Sequence, residues 1–159
     1  MAENIIKVFL DSNVILSGII SDKGSPRIIL DILSLKMPFI VGMTGEYNLI
    51  EIERNLANKI PDAILLYNEY LLKINFKIIK IPSPAEIKNY SGCTSDKDIP
   101  VLVSAINGKA DYLITGDKKD FDKLKAKDDY KFKIMNPSEF IKEIIPELLI
   151  SKGELKTKT

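Results

Sequence analysis

The stretch IIKVFLDSNVILSGII, residues 5–20, decides the architecture. It opens with an apolar, β-rich run, Ile5 to Leu10, which stops at Asp11. A run of this length and composition reads as a buried strand. Ser12 or Asn13 can then cap a helix through about Ile20. Strand, acidic turn and helix form the unit from which parallel sheets are wound.

Outward from there the alternation continues. Ser25-Pro26 starts a helix to about Lys36, with Ile28, Ile29, Ile32, Leu33 and Leu35 as its apolar face. Pro38 breaks it, Phe39 to Val41 is a short strand, and Thr44 caps a helix through about Asn58. Pro61 opens the next helix, ending near Ile74, and Lys77 to Ile81 alternates as a strand does. Residues 82–97 hold two prolines, a glycine and several serines, and read as a loop. Asp98-Ile99-Pro100 starts a helix through about Asn107, Asp111 to Thr115 is a strand, and Gly116-Asp117 a turn. Phe132 to Met135 is the final strand, and Pro137-Ser138 opens a last helix ending near Pro146. Residues 1–146 are read as one domain, and 147–159 as a polar C-terminal tail that frays after Ile150. The fold class expected is a three-layer α/β/α sandwich with a central parallel sheet of Rossmann-like topology. Such sheets bind ligands beyond the carboxyl ends of their strands, where the strand order reverses. Asp11 and Asp117 each follow a strand's carboxyl end and would share that crevice.

Composition narrows the chemistry. The 159 residues contain no histidine, which excludes histidine-dependent triads and most zinc sites. A site built from carboxylates alone suits hard, oxygen-seeking cations such as Mg²⁺ or Mn²⁺. Net charge is +1, so attraction to phosphate must come from a local patch. Cys93 is the only cysteine, no signal peptide is legible, and no apolar run is long enough to span a bilayer. A cytoplasmic location is therefore expected.

Four acids lie at chain reversals or on the helices that follow them: Asp11, Glu51, Asp98 and Asp117. Each has an ordinary alternative. Asp11 and Asp117 suit turns, Asp98 suits a helix start two residues before Pro100, and Glu51 lies opposite the apolar stripe of Leu49, Ile52, Leu56 and Ile60. An exposed Glu51 paired with Arg54, one turn on, would be unremarkable on a helix.

What joins the four is a resemblance. DSNV after the first strand, LIEIERNL on a helix, SDKDIPVLVSAINGKADYLITGDKKDF and a closing MNPSEFIKEI resemble, in order, the motifs of PIN-domain ribonucleases, VapC-like toxins among them. The similarity runs from Ile5 to about Ile145 and implies a PIN-like fold. It places the family's metal-binding acids on Asp11, Glu51, Asp98 and Asp117. Ser12, Asn13 and Thr115 match polar residues that support such a site, and Asp120 matches an accessory position. Asp96 competes with Asp98 for the third place, and the register of Ala105 favours Asp98. The resemblance implies a metal-dependent ribonuclease with one or two Mg²⁺ or Mn²⁺ ions acting on RNA, expected to be single-stranded. It also implies a homodimer and, for a toxin of a type II toxin–antitoxin pair, an antitoxin partner. Lys118 and Lys119, beside Asp117, and Arg54 are candidate phosphate contacts; Lys123, Lys125, Lys127, Lys131 and Lys133 extend the first two into a basic rim, interleaved with acids.

Other readings fare less well. Haloacid-dehalogenase-like phosphatases need an aspartate two residues after the first, where this chain has Asn13. No GxGxxG or phosphate-binding loop follows a strand. A non-catalytic PIN-like module that binds RNA or a partner remains the alternative.

Overall fold

The structure is a computed structural model that describes residues 5–117, 121 and 131–157. Five parallel strands form its sheet: β1 (Ile6–Leu10), β2 (Ile40–Gly45), β3 (Lys77–Ile79), β4 (Tyr112–Ile114) and β5 (Lys133–Met135), in the order β3-β2-β1-β4-β5. The first strand is therefore central. It pairs Val8 with Gly42 on one side and with Tyr112 on the other. The chain leaves β1 toward β2 and later returns to add β4 on the opposite side. This reversal opens a crevice at the carboxyl ends of β1 and β4.

Helices cover both faces, as a parallel sheet requires. On one face Val8, Leu10, Ile114 and Met135 pack with α1 (Ser12–Ile20), α2 (Ser25–Ser34), α3 (Glu46–Lys59), α4 (Ile64–Ile74) and the C-terminal helices. On the other, Phe9, Met43, Leu113 and Ile134 pack with Val101, Leu102 and Ala105 of α6 (Ile99–Asn107). The switch of Val8, Phe9 and Leu10 between these clusters is the two-residue period of a strand. The result is the α/β/α sandwich that the alternation of elements implied.

Several local expectations change. The second strand runs to Gly45, so Thr44 does not cap α3; its hydroxyl donates to Leu10 O at 2.9 Å and ties β2 to the end of β1. Gly42 hid this strand, because glycine is a poor strand former. A Cβ there would meet Leu33 at 3.0 Å and Phe76 at 3.2 Å. Residues 82–97 are not all loop, since α5 (Pro84–Asn89) begins at Ser83. Its capping box pairs Ser83 Oγ with Glu86 N and Glu86 Oε1 with Ser83 N, a signature masked by the surrounding prolines. The final helix does not end near Pro146. After α7 (Pro137–Glu139) and a π-type segment at Phe140–Ile144, α8 (Ile145–Thr157) carries helix through the expected tail. The widened hydrogen-bond register just before Pro146 lets the chain pass a residue with no N–H to donate.

Phe9 is fully buried mid-sheet, whereas Leu65 on α4 is 76% exposed. Phe9→Ala should cost about 3–5 kcal/mol of unfolding free energy. Leu65→Ala should stay within about 0.5 kcal/mol, both measured by urea denaturation. Equal losses would contradict this packing.

Candidate active site

Asp11 ends β1 at the switch point and is 5% exposed. Its Oδ1 accepts from Ser12 N at 2.7 Å and from Asn48 Nδ2 at 3.3 Å, and its Oδ2 accepts from Thr115 Oγ1 at 2.8 Å. Asp11 is itself the N-cap of α1, so Ser12 and Asn13 do not take that position. The capping role thus falls on the candidate site residue itself. Burial pushes its carboxyl up from 3.8 to about 6. The bonds from Thr115 and Ser12 oppose that rise, and the charges of Asp98 and Glu51 add to it.

Asp117 lies one short turn from β4 and is held from α1. Asn13 Nδ2 donates to its Oδ2 at 2.8 Å, while Asn13 Oδ1 accepts from Gly116 N at 3.0 Å. The buried hydroxyl of Thr115 accepts from Asp117 N at 3.1 Å while donating to Asp11. One threonine therefore joins the two acids across the crevice. A Cβ on Gly116 would stand 3.3 Å from Asn13 Oδ1, so a bare glycine lets this turn close.

Asp98 occupies the start of α6, yet its side chain makes no capping bond. It is buried and accepts instead from Ser95 Oγ. Glu51 is half-buried on α3, rather than fully exposed on the helix's outer face. The charges of Asp98 and Glu51 both bear on Asp11. They also bear on Tyr47, whose phenol is pushed up by its partial burial and then by Glu51, Asp98 and Asp11, with Arg54 opposing. Tyr47 donates to Lys97 O at 3.3 Å. Tyr47, Glu51 and Arg54 are spaced i, i+4, i+7 and form one stripe of α3.

The sites named from sequence separate clearly. Asp96 is exposed, whereas Asp98 is buried and acts on Asp11. Lys118, Lys119 and Asp120 lie outside the described residues, as do Lys123, Lys125 and Lys127. Lys133 opens β5 and Lys131 precedes it, at the opposite end of the strands from Asp11, so neither belongs to a rim of this site. Two residues were missed: Ser95, which serves Asp98, and Asn48, which is wholly buried between Asp11 and Ser12. The available signal for Asn48 was an amide three residues before Glu51, on the same side of the helix.

Among the described residues, no three acids are gathered closely enough to form a ready-made metal cage. Like charges without a counter-charge between them stay apart. The donors are nonetheless all oxygen, and the buried Asp11 carboxylate carries an electrostatic cost that a hard cation would relieve.

Residues 7–119 match the family model described as PIN domain. Among curated proteins, a DNA ligase of Pelagibacter ubique (strain HTCC1062) is 36% identical over 119 residues, 72% of this chain but only 16% of that protein. The chain therefore spans about a sixth of the length of that relative. Among solved structures, VapBC2 from Rickettsia felis, bound to a DNA fragment from their promoter, matches 82% of this chain and 98% of its own, at 15% identity and a TM-score of 0.59. VapBC-1 from nontypeable Haemophilus influenzae matches 84% and 99%, at 13% identity and a TM-score of 0.60. FitAB bound to the IR36 DNA fragment matches 82% and 94%, at 16% identity and a TM-score of 0.56. These likenesses confirm the fold, and the match over most of the sequence confirms the lineage: the chain belongs to the PIN-domain family.

Proposed function

We propose that this protein is a metal-dependent ribonuclease that hydrolyses RNA phosphodiester bonds at the Asp11 crevice. The observation that carries the reading is a buried carboxylate at the sheet's switch point with Asp98 and Glu51 acting on its charge. Asp117 is tied to it through a single threonine hydroxyl. Asp11, Glu51, Asp98 and Asp117 would hold one or two Mg²⁺ or Mn²⁺ ions. Bound there, such an ion supplies Lewis-acid polarisation of the phosphate and activation of water. The chain's own residues do the rest. Thr115, Ser12 and Asn48 keep Asp11 oriented, Asn13 aims Asp117, and Ser95 aims Asp98. Arg54 offers a guanidinium to a backbone phosphate beside Glu51, and Tyr47 offers a ring face to an unpaired base.

The fold shared with VapBC and FitAB assemblies supports a protein partner, which we infer to be an antitoxin, in a cytoplasmic toxin–antitoxin pair. The partial match to a DNA ligase makes DNA the substrate to compare with RNA.

Asp11→Asn should lower Mn²⁺-dependent cleavage of labelled single-stranded RNA at least on the order of a hundredfold, about 2.7 kcal/mol of barrier. Unchanged cleavage would refute the assignment; Mn²⁺ binding without cleavage of any RNA by the parent would favour a binding module. Arg54→Ala should raise KM with kcat little changed, and reduce the salt slope of RNA binding by about one. A loss confined to kcat would place Arg54 elsewhere in the reaction.

Acidity gives a further check. The folded carboxyl of Asp11, at about 6, is raised above its ordinary 3.8. Between those values the metal-free folded state binds more protons than the unfolded chain, so stability falls as pH rises through the window. Asn at this position carries no such penalty. With chelator present, the Tm difference between Asp11→Asn and the parent should therefore move in the variant's favour from about pH 4 to about pH 7. A pH-independent difference would show that Asp11 ionises normally.

A further inference from the structure

Asn48 is 0% exposed and uses both ends of its amide. Its Oδ1 accepts from Gly45 N at 3.2 Å, across the start of α3. Its Nδ2 donates to Ser12 Oγ at 2.8 Å and to Asp11 Oδ1 at 3.3 Å, across the start of α1. The backbone reinforces this junction, because Ser12 Oγ faces Asn48 O at 3.5 Å and Thr44 bonds Leu10 O. Reversing the amide would set an oxygen against the Asp11 carboxylate and an NH₂ against the Gly45 N–H. The chemistry of the partners thus admits one orientation.

The space is closed as well. A Cβ on Gly45 would stand 2.7 Å from Asn48 Oδ1 and 3.1 Å from Ser104 Oγ. A side chain at position 45 is thereby excluded, and a leucine at position 48 would leave three polar partners unserved.

Glu51 lies three residues along α3 from Asn48, about one helical turn. The charges of Glu51 and Asp11 repel, so holding the two acids near each other needs a polar contact between α3 and the β1–α1 junction. We propose that Asn48 is a positioning residue. Its amide clamps the start of α3 onto the β1–α1 junction and so sets Glu51 opposite Asp11 for divalent-cation binding. This rests on the metal-dependent reading of the same crevice, and it adds a residue to which that reading assigns no contact with metal or substrate.

Asn48→Asp is the discriminating substitution. It keeps an acceptor for Gly45 N–H, and hence the helix start, but sets a carboxylate where the Asp11 carboxylate requires a donor. Calorimetric Mn²⁺ titration of the full chain should show affinity about 10- to 100-fold weaker in Asn48→Ala, which removes the amide without adding charge. If Asn48→Ala binds Mn²⁺ as tightly as the parent or more tightly, Asn48 does not set Glu51 for the cation and the proposal is overturned. Should either variant fail to fold, Asn48→Ser is compared with and without Glu51→Gln. In the Glu51→Gln background it should add less than about twofold, and an additive loss would contradict action through Glu51. A metal-free measurement separates this claim from the metal reading itself. By hydrogen exchange, the Ser12 amide should exchange at least about tenfold faster in Asn48→Asp while Gly45 and core amides such as Val8 stay protected. If the parent binds no Mn²⁺, the metal reading fails and this exchange pattern alone decides the clamp. Unchanged Ser12 protection would overturn it.

Discussion

The structure turns on one buried carboxylate. Asp11 leaves the central strand at the point where strand order reverses, and almost none of its surface meets water. Burying a carboxylate is costly unless donors surround it. Here they come from α1, α3 and the segment after β4, through Ser12, Asn48 and Thr115. Asp11 thus links the elements that build the crevice, alongside the bonds of Asn13 to Asp117 and Gly116 and of Asn48 to Ser12. The charges of Asp98 and Glu51 add to the cost of its negative form rather than offset it, which is the electrostatic basis of the proposed cation site.

The fold was legible because apolar periodicity and the punctuation of the chain agreed. Strand, acid and helix at residues 5–20 were read correctly, and so was the strand that leads to Thr115 and Asp117. Errors arose where two signals competed. Gly42 and Gly45 concealed the second half of β2, although both are needed for close packing against Phe76 and Asn48. Prolines around residues 82–84 concealed a capping box, and Pro146 suggested an end where a π-type segment allows helix to continue.

The candidate acids and three polar residues bonded to them, Ser12, Asn13 and Thr115, were named from the sequence, whereas Asn48 and Ser95 were not. Asp11 and Asp117 could be placed from strand ends alone. The register of Ala105 favoured Asp98 over Asp96, and the structure buries Asp98 against the Ser95 hydroxyl while leaving Asp96 exposed. Asn48 offered only its spacing to Glu51 as a signal, since its meaning lies in three partners, two of them more than thirty positions away in sequence. Long-range polar contacts of this kind leave no periodic trace. Asp11 caps α1, so the ordinary structural use weighed against its candidate role does occur, on the same residue.

Membership of the PIN-domain family supplies a lineage, and the crevice supplies the chemistry open to it. The most direct test of the central claim is a crystal soaked in Mn²⁺ and measured for anomalous scattering. The expected result is a peak coordinated by Asp11 together with Asp98, Glu51 or Asp117. A well-diffracting soaked crystal with no peak at Asp11, or with Mn²⁺ held only elsewhere, would contradict a cation site built on this carboxylate.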